Sequence, residues 1–468
     1  MSRINHNIAS LQGINRLTRN QADLALRLQR LSTGLRINTG KDAPAGLIAS
    51  ENLRSEIAGI NQAIDNSNRA TNVLNTAEGA LGEVAALLLE VQSLTSQAAN
   101  TGALSKEEIA ANQIQVDSII NSINRSANTT QFNGVKLLNG SLDYTTSGVN
   151  NANFANMHVN AALLPDNAAV NVVIAVTQSA QAATIGYTGG ALSATNAVTI
   201  QISGNLGVQQ LAFAGGATIA EMVTAVNAVK NATGVSAVNS AGDLGLYSTT
   251  FGSKQYVSLS TIAGTFVPTA AKANGRDANV TVNGAAAQAD GLNVNYRSSY
   301  LDIQLDIQQA FNTVGNDNFY ITGGGATFAL GSKVTEADKS SIGIQSVSTG
   351  SLGDQTTGYL STLGSGGANS LSSGNLTTAQ RIIDKAIKQV STLRGRLGAF
   401  QKEILESNIN SLSVALENVT ASESAIRDAD FATETAALTR AQILVQANTS
   451  VLAQANATPQ NVLALLQR

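Results

Sequence analysis

Both ends of this 468-residue chain carry aliphatic side chains at alternating spacings of three and four, which commits them to long helices sharing seams. Near the start, Ile14, Leu17, Gln21, Leu24, Leu28, Leu31 and Leu35 follow that alternation. Gly34, Gly40 and Pro44 then place a loop at GLRINTGKDAP, because glycine stops a helix and proline opens the next. A second seam runs through Ile57, Ile60, Ile64, Thr71, Leu74, Leu81, Leu88 and Thr95, widened by Val84 and Val91. Ser105 and Glu108 have the spacing of a capping box for a third helix, which carries Ile109, Val116, Ile119 and Ile123.

The pattern stops and later returns. Thr377 and Gln380 predict a capped helix start, followed by Val390, Leu393, Leu397, Phe400 and Ile404, and then by Leu405, Ile409, Leu412, Leu416, Val419 and Ile426. A final helix carries Leu438, Ala441, Val445, Leu452 and Ala455, with Thr458 and Pro459 expected to cap and restart one last turn. The two flanks read as antiparallel partners.

Between them the composition changes. Of 18 aromatic residues 15 lie between 141 and 375, with 29 of the 41 glycines, so this zone reads as a sheet-containing insert. VTIQISG, VQQLAFAGG, GVSAV, LGLYSTT and YVSLSTI read as strands, and ATIAEMVTAVNAVKNATG as a helix with the stripe Ile219, Met222, Val223, Val226 and Val229. NVTVNG and NYRSSYLDIQLDIQQAF predict a second small sheet-and-helix unit, and the stretch from about 340 to 375, with GSGGANSLSSG, a flexible return linker. The expected fold class is α+β multidomain: a discontinuous antiparallel helical coiled coil or bundle from both termini, with a mixed α/β central insert.

Several functions are argued against by what these residues lack. The formal charge is −3 and basic residues never cluster with aromatics, so nucleic acid is not an expected partner. No segment approaches the ~20 apolar residues a bilayer requires, so a membrane is not one either. Cysteine is absent, and the two histidines, His6 and His158, stand far apart, which points away from thiol chemistry, metal and cofactor alike. No hydrolase, phosphate-binding or dinucleotide motif occurs, so no catalytic residue is expected. Asp428, Asp430 and Glu434 read as helix caps and a solvated face near a joint. The polar, amphipathic start MSRINHNIASLQGINR reads as something other than a cleavable signal peptide.

The termini themselves pose a problem of burial. Residues 1–41 hold seven basic side chains against the single acid Asp23, and the last thirty residues hold no carboxylate side chain. A helix pair made of such segments leaves apolar outer faces wet, and its docking gains little once ordering entropy is counted. The expectation is that both ends are loose in the monomer and order as neighbouring copies cover them.

These residues also resemble a family. INHNIASL, LSTGLRINTGKDAPAGL, LNTAEGALGEV and TTQFNGVKLLNG at one end are similar to bacterial flagellins. So are STLRGRLGAFQ, ESAIRDADFATETAALTRAQILVQANTSVLAQAN and PQNVLALLQR at the other. The stretch 196–262 resembles a small repeat found in flagellin and hook-associated inserts.

The resemblance implies a structural, non-enzymatic subunit that self-assembles into the extracellular flagellar filament for swimming motility. It implies inner-tube helices at 1–41 and 430–468, a rod domain from 42–140 and 376–429, and a surface-exposed variable insert at 141–375. Inner-tube packing falls to Leu24, Leu28, Leu31, Leu438, Val445, Leu452, Leu463 and Leu466. Implied partners are further copies of the chain, hook-associated and cap proteins, the flagellar type III export apparatus, and an export chaperone at the C-terminal helix. The segment LLEVQSLTSQAAN, with Leu88, Leu89, Glu90 and Leu94, aligns with the stretch read by a host innate-immune receptor. Leu89-Glu90 stand where receptor-triggering members carry Gln-Arg, and such a charge reversal argues against recognition. Two alternatives stay open here: a hook–filament junction protein with the same termini, and a filament subunit whose insert is an adhesin.

Overall fold

The computed structural model describes residues 6–100, 102–164 and 168–466, with side chains beyond residue 457 outside the description. Among the described residues eight α-helices and a set of antiparallel strands follow one another: α1 (Ile8–Thr33), α2 (Pro44–Ala98) and α3 (Lys106–Thr129) precede the strands. Helices α4 (Ile219–Ala228) and α5 (Lys230–Thr233) lie among them, and α6 (Leu376–Ala399), α7 (Ser407–Arg427) and α8 (Phe431–Leu466) follow. Long terminal helices packed together and a β-rich middle make the fold the α+β arrangement that the periodicity predicts.

The chain separates into two compact units. One holds residues 1–68, 330–334 and 406–468, and the other 69–329 and 335–405.

Helix α2 displays the seam most fully. Ile60, Ala63, Ser67, Ala70, Leu74, Ala77, Leu81, Val84, Leu88, Val91, Thr95 and Ala98 are all buried, an unbroken alternation of three and four. Ile64 and Thr71, expected in this seam, are half-buried at its flank. Small residues occupy the seam there, and small residues are what allow two helix backbones to approach. The two hydroxyls in the seam are satisfied internally, Ser67 donating to the Ala63 carbonyl at 2.8 Å and Thr95 to that of Val91 at 2.8 Å.

Within the second unit, α2 runs antiparallel to α6, with Arg394 against Glu78 at 2.7 Å and Gln92 donating to Asp384 at 3.0 Å. The Ser105–Glu108 capping box opens α3, as its spacing predicts. The start of α6 differs from expectation. Asn375 is the N-cap without a side-chain bond, Thr377 lies inside the first turn, and Gln380 donates forward to Asp384 at 3.0 Å. One turn on, the Asp384 carboxylate takes the Gln380 side-chain amide as a donor, whereas reaching back would have used its oxygen to accept from a backbone amide. At the other end of the chain, α8 passes through Thr458 and Pro459 unbroken, so the expected restart there is absent.

The stretch from 198 to 263 forms the strands its pattern predicts, while the expected helix breaks at Val229 into α4 and α5. Strands Val198–Gly204, Val208–Phe213 and Tyr256–Ala263 share one sheet, and Val235–Ser240 and Asp243–Ser248 another. Helix α4 buries Ile219, Met222 and Val226 against their core, while Val223 and Val229 are half-buried.

The second expected unit is an eight-stranded antiparallel sheet without an accompanying α-helix. YLDIQLDI forms strand Leu301–Ile307, whose Leu301, Ile303, Leu305 and Ile307 share the buried face, and QQAF closes as a single 3-10 turn. The period of two outweighs the helix propensity of the glutamines. Asn283 and Gly284, with φ of 50° and 82°, turn the hairpin between Asn279–Val282 and Ala285–Asp290.

The segment expected to be a flexible linker is packed. Ile344, Val347, Leu352, Leu360, Leu363 and Leu371 are buried. Gln113 of α3 donates to the Leu363 carbonyl at 2.9 Å and accepts from the Leu371 amide at 2.7 Å. Gln389 of α6 both donates to and accepts from Gly353, at 2.7 and 2.8 Å. Gly and Ser dominate its composition, but the spaced leucines decide its state.

Candidate assembly surface

Helix α1 begins where Asn7 accepts from the Ser10 amide at 3.0 Å and ends at Gly34, whose φ of 72° is the left-handed turn that glycine takes without strain. Leu35, counted with the seam from its spacing, therefore falls beyond the helix and pairs as a β-bridge with Asp428. Beside it the Arg36 amide donates to the Arg427 carbonyl at 2.7 Å and the Ala429 amide to that of Gly34 at 2.9 Å. Asp430 then caps α8, accepting from the Ala432 amide at 3.0 Å and the Thr433 hydroxyl at 2.7 Å. The capping role expected of Asp430 holds.

From this joint α1 and α8 run antiparallel, their register pinned at three levels. Arg27 and Arg30 meet Glu434 at 3.0 Å each, Gly13 packs under Leu452, and Asn7 donates to the Ala455 carbonyl at 2.9 Å. Gly13 is buried under the Leu452 side chain, and a Cβ added there would stand 3.1 Å from it.

Glu434 departs from the solvated face expected of it. It is 6% exposed and lies between two guanidinium groups. Burial pushes its carboxyl upward, but hydrogen bonds and charge from Arg27 and Arg30 outweigh that and hold it below its ordinary value. The hydrogen bond to Glu434 in turn raises Arg27. The basic excess of the N-terminal segment is thus answered by an acid lying just ahead of the last thirty residues.

The α8 residues turned toward α1 keep the three-four alternation: Ala441 is buried, and Leu438, Val445, Leu452 and Ala455 are half-buried. On α1, Leu24 and Leu31 are half-buried, while Leu28 is 50% exposed. Leu463 and Leu466 lie outside the described side chains. The outer faces are apolar too, with Ile8, Leu11 and Ile14 on α1 and Phe431, Ile443, Leu444 and Val451 on α8 all exposed, Ile443 by 62%. Two helices therefore bury one stripe between them and leave a second stripe of aliphatic side chains bare, which is the property of a surface that continues into another chain.

In the second unit Leu88 and Leu94 are buried in the α2 seam, whereas Leu89 is 56% exposed and Glu90 is exposed beside it. Neither Gly13 nor the Arg27–Glu434–Arg30 cluster stands out in the periodicity of the sequence. The three-residue spacing of the two arginines, opposite the nearest acid upstream of the tail, is the signal that carries the cluster. Among the described residues no group of three or more His, Asp or Glu side chains is placed to hold a metal ion, and no helix is long and apolar enough to cross a membrane.

Comparison with known proteins gives matches along nearly all of the chain. Residues 4–143 match the family described as bacterial flagellin N-terminal helical region, 380–466 the bacterial flagellin C-terminal helical region, and 199–250 the flagellin hook IN motif. A flagellin of Salmonella choleraesuis (strain SC-B67) is 32% identical over 99% of both chains. A B-type flagellin of Pseudomonas aeruginosa is 30% identical over 99% of both, and a flagellin of Bacillus subtilis (strain 168) is 29% identical over 99% of this chain and all of its own.

Proposed function

The chain belongs to the bacterial flagellin family, and from that premise we propose that the outer faces of α1 and α8 are the surface through which copies join. It is a structural subunit that self-assembles into the extracellular flagellar filament. The observation that carries the residue-level reading is the bare aliphatic stripe on both terminal helices, Ile8, Leu11, Ile14 and Leu28 on one and Ile443, Leu444 and Val451 on the other. Every aliphatic side chain taken out of water contributes roughly 1.5–3 kcal/mol, so repeated copies gain what one copy cannot.

In this reading Leu24, Leu31, Leu438, Val445 and Leu452 hold α1 to α8, and Leu28, with Leu463 and Leu466, meets neighbours in an inner tube. Residues 1–41 and 430–468 form that tube, 42–140 and 376–429 a surrounding rod, and 141–375 the outward insert. Both ends are loosely held as a helix pair in the monomer and become fully ordered as copies add, in the manner of coupled folding and binding. Delivery through the flagellar type III export apparatus, a chaperone covering the C-terminal helix, and junctions with hook-associated and cap proteins belong to the same proposal. The exposed Glu90 beside Leu89 supports a surface that an innate-immune receptor built for Gln-Arg would not accept. Truncation after Ala457 tests the central claim: the shortened chain stays soluble and forms no filaments, and normal filaments from it would refute the terminal interface.

A further inference from the structure

A half-solvated sheet turns one face to the core and its other to water. In strand Leu301–Ile307 the buried Ile303 and Leu305 alternate with Asp302, Gln304 and Asp306. Neighbouring Asn293–Arg297 sets Asn293 and Asn295 beside that polar row, and Phe154–Ala162 adds Asn156, His158 and Asn160. A second polar surface covers this one. Lys385, Lys388, Thr392 and Arg396 of α6, at helical spacing, form the opposite wall of a cleft of about 450 Å³. Among its described lining residues Leu393 is the one apolar side chain.

The acids here are already engaged. Asp302 accepts from Asn160 and Arg297 at 2.8 Å each, Asp306 from Asn156 at 2.8 Å and Asn293 at 2.5 Å, and Asp290 is paired with Lys254. Lys385 meets Asp354 at 3.1 Å.

Two cations are left over. Arg396 donates to the carbonyls of Asn160 at 3.1 Å and Gly343 at 3.3 Å, and among the described residues no carboxylate lies within ion-pair distance of it or of Lys388. Burial pushes Arg396 down from its ordinary value, as expected of a largely desolvated cation without a contacting counter-charge. His158 is pushed down by burial first and by Arg396 second, so it stands neutral beside them. A bulge aims the remaining wall: the pairing slips between Gln304 and Asp306, and Asn156 takes a φ of 47° there.

We propose that this cleft binds a small hydroxylated anion, of the class of sugar acids and sugar phosphates. Its charged group is held by Arg396 with Lys388 adding attraction, and its hydroxyls by the amides of Asn295, Gln304 and Gln345. A guanidinium whose Nη2 is shared between two backbone carbonyls is held in orientation before any ligand arrives and keeps its other nitrogens for the ligand, which reduces the ordering cost of binding. The cavity lies within the size range of small-molecule sites. None of its described lining residues is Phe, Tyr or Trp, so a neutral sugar finds no large ring face to stack on and the anionic group must supply the affinity.

Titration calorimetry on the full-length monomer at low salt, with D-glucuronate, D-glucose 6-phosphate and D-glucose, tests this. Binding of either anion with D-glucose inert is the expected result, and the two anions separate carboxylate from phosphate as the preferred group. Lys388→Glu, a change on a solvent-facing helix position, should weaken that binding about tenfold. Gln304→Ala should weaken it without altering its dependence on salt. The proposal is overturned if neither anion binds at about 10 mM, if D-glucose binds as well as they do, or if Lys388→Glu leaves the affinity unchanged. It concerns the isolated monomer, so its failure leaves the filament reading standing.

Discussion

The guanidinium of Arg30 on α1 donates to the carboxylate of Glu434 on α8 at 3.0 Å, and Arg27, one turn earlier, donates to the same carboxylate at 3.0 Å. The two ends of the chain are thus fastened by one acid serving two bases, and this is the most completely buried charged contact between them.

Glu434→Gln should loosen the helix pair more than any substitution on its exposed rim. The change keeps the shape of the side chain but leaves two neighbouring guanidinium groups facing each other at 25% and 17% exposure. Losing one partner of a largely buried pair costs about 3–5 kcal/mol, and the remaining contact with water brings the expectation here to about 2–3 kcal/mol. Amide exchange along α1 in the monomer reads it; protection equal to that of the unaltered chain would contradict the assignment.

Several carboxyls are lowered on folding, and two of them, Asp354 and Glu434, each meet a base on another element. For Asp354, burial pushes upward, but the hydroxyl and amide of Thr357 and the ammonium of Lys385 prevail, and the carboxyl is lowered from 3.8 to about 2. Glu434 is lowered from its ordinary 4.5 by the two arginines. A carboxyl depressed on folding contributes its full stability above the unfolded value, and that contribution drains away as pH falls toward the folded one. The packing of 343–375 on α3 and α6 should therefore weaken between about pH 4 and pH 2. Asp354→Asn should remove that part of the acid response, and circular dichroism across the range distinguishes the two chains.

Much of this architecture is legible in the residues, and the parts that are not share a cause. Periodicity marks large aliphatic side chains, so Leu74, Leu81 and Leu88 declare the α2 seam, whereas Ala63, Ser67 and Ala70 occupy it silently because they matter for being small. Capping boxes are visible where the helix start is local, as at Ser105, and misleading at Thr377, where Asp384 competes for Gln380. The return segment 343–375 looks like a linker because burial there depends on single leucines spaced through glycine. Glu434, like the cleft around Arg396, is assembled by residues hundreds of positions apart, and no local pattern encodes their meeting.

The junction of α6 and α7 makes a sharper test. Phe400–Glu406 is a π-helical turn, so the residue five places beyond the buried Phe400 faces inward instead of the residue four places beyond. Leu405 is fully buried and Ile404 is 39% exposed. Leu405→Ala should cost about 2–4 kcal/mol and Ile404→Ala less than about 1, the reverse of what an unbroken helix would give. Urea unfolding of the two variants decides it.

The assembly surface is tested by placing the same charge on two faces of α8. Ala441 is 2% exposed and Ile443, two residues on, is 62% exposed, so one faces α1 and the other faces away from it. Ala441→Asp forces an unpaired carboxylate into the helix pair, and both the monomer's terminal helices and its polymerisation should fail together. Ile443→Asp puts the carboxylate in water. The monomer should keep its helix content, and filament growth should fall by more than tenfold, since each joining copy must then desolvate the charge. Sedimentation and electron microscopy of polymerising protein measure the growth, and circular dichroism measures the monomer. If Ile443→Asp polymerises as the unaltered chain does, the exposed stripe of α8 is not the joining surface. If it fails only because the monomer has lost its helices, the contrast with Ala441→Asp vanishes and the two faces are not distinct.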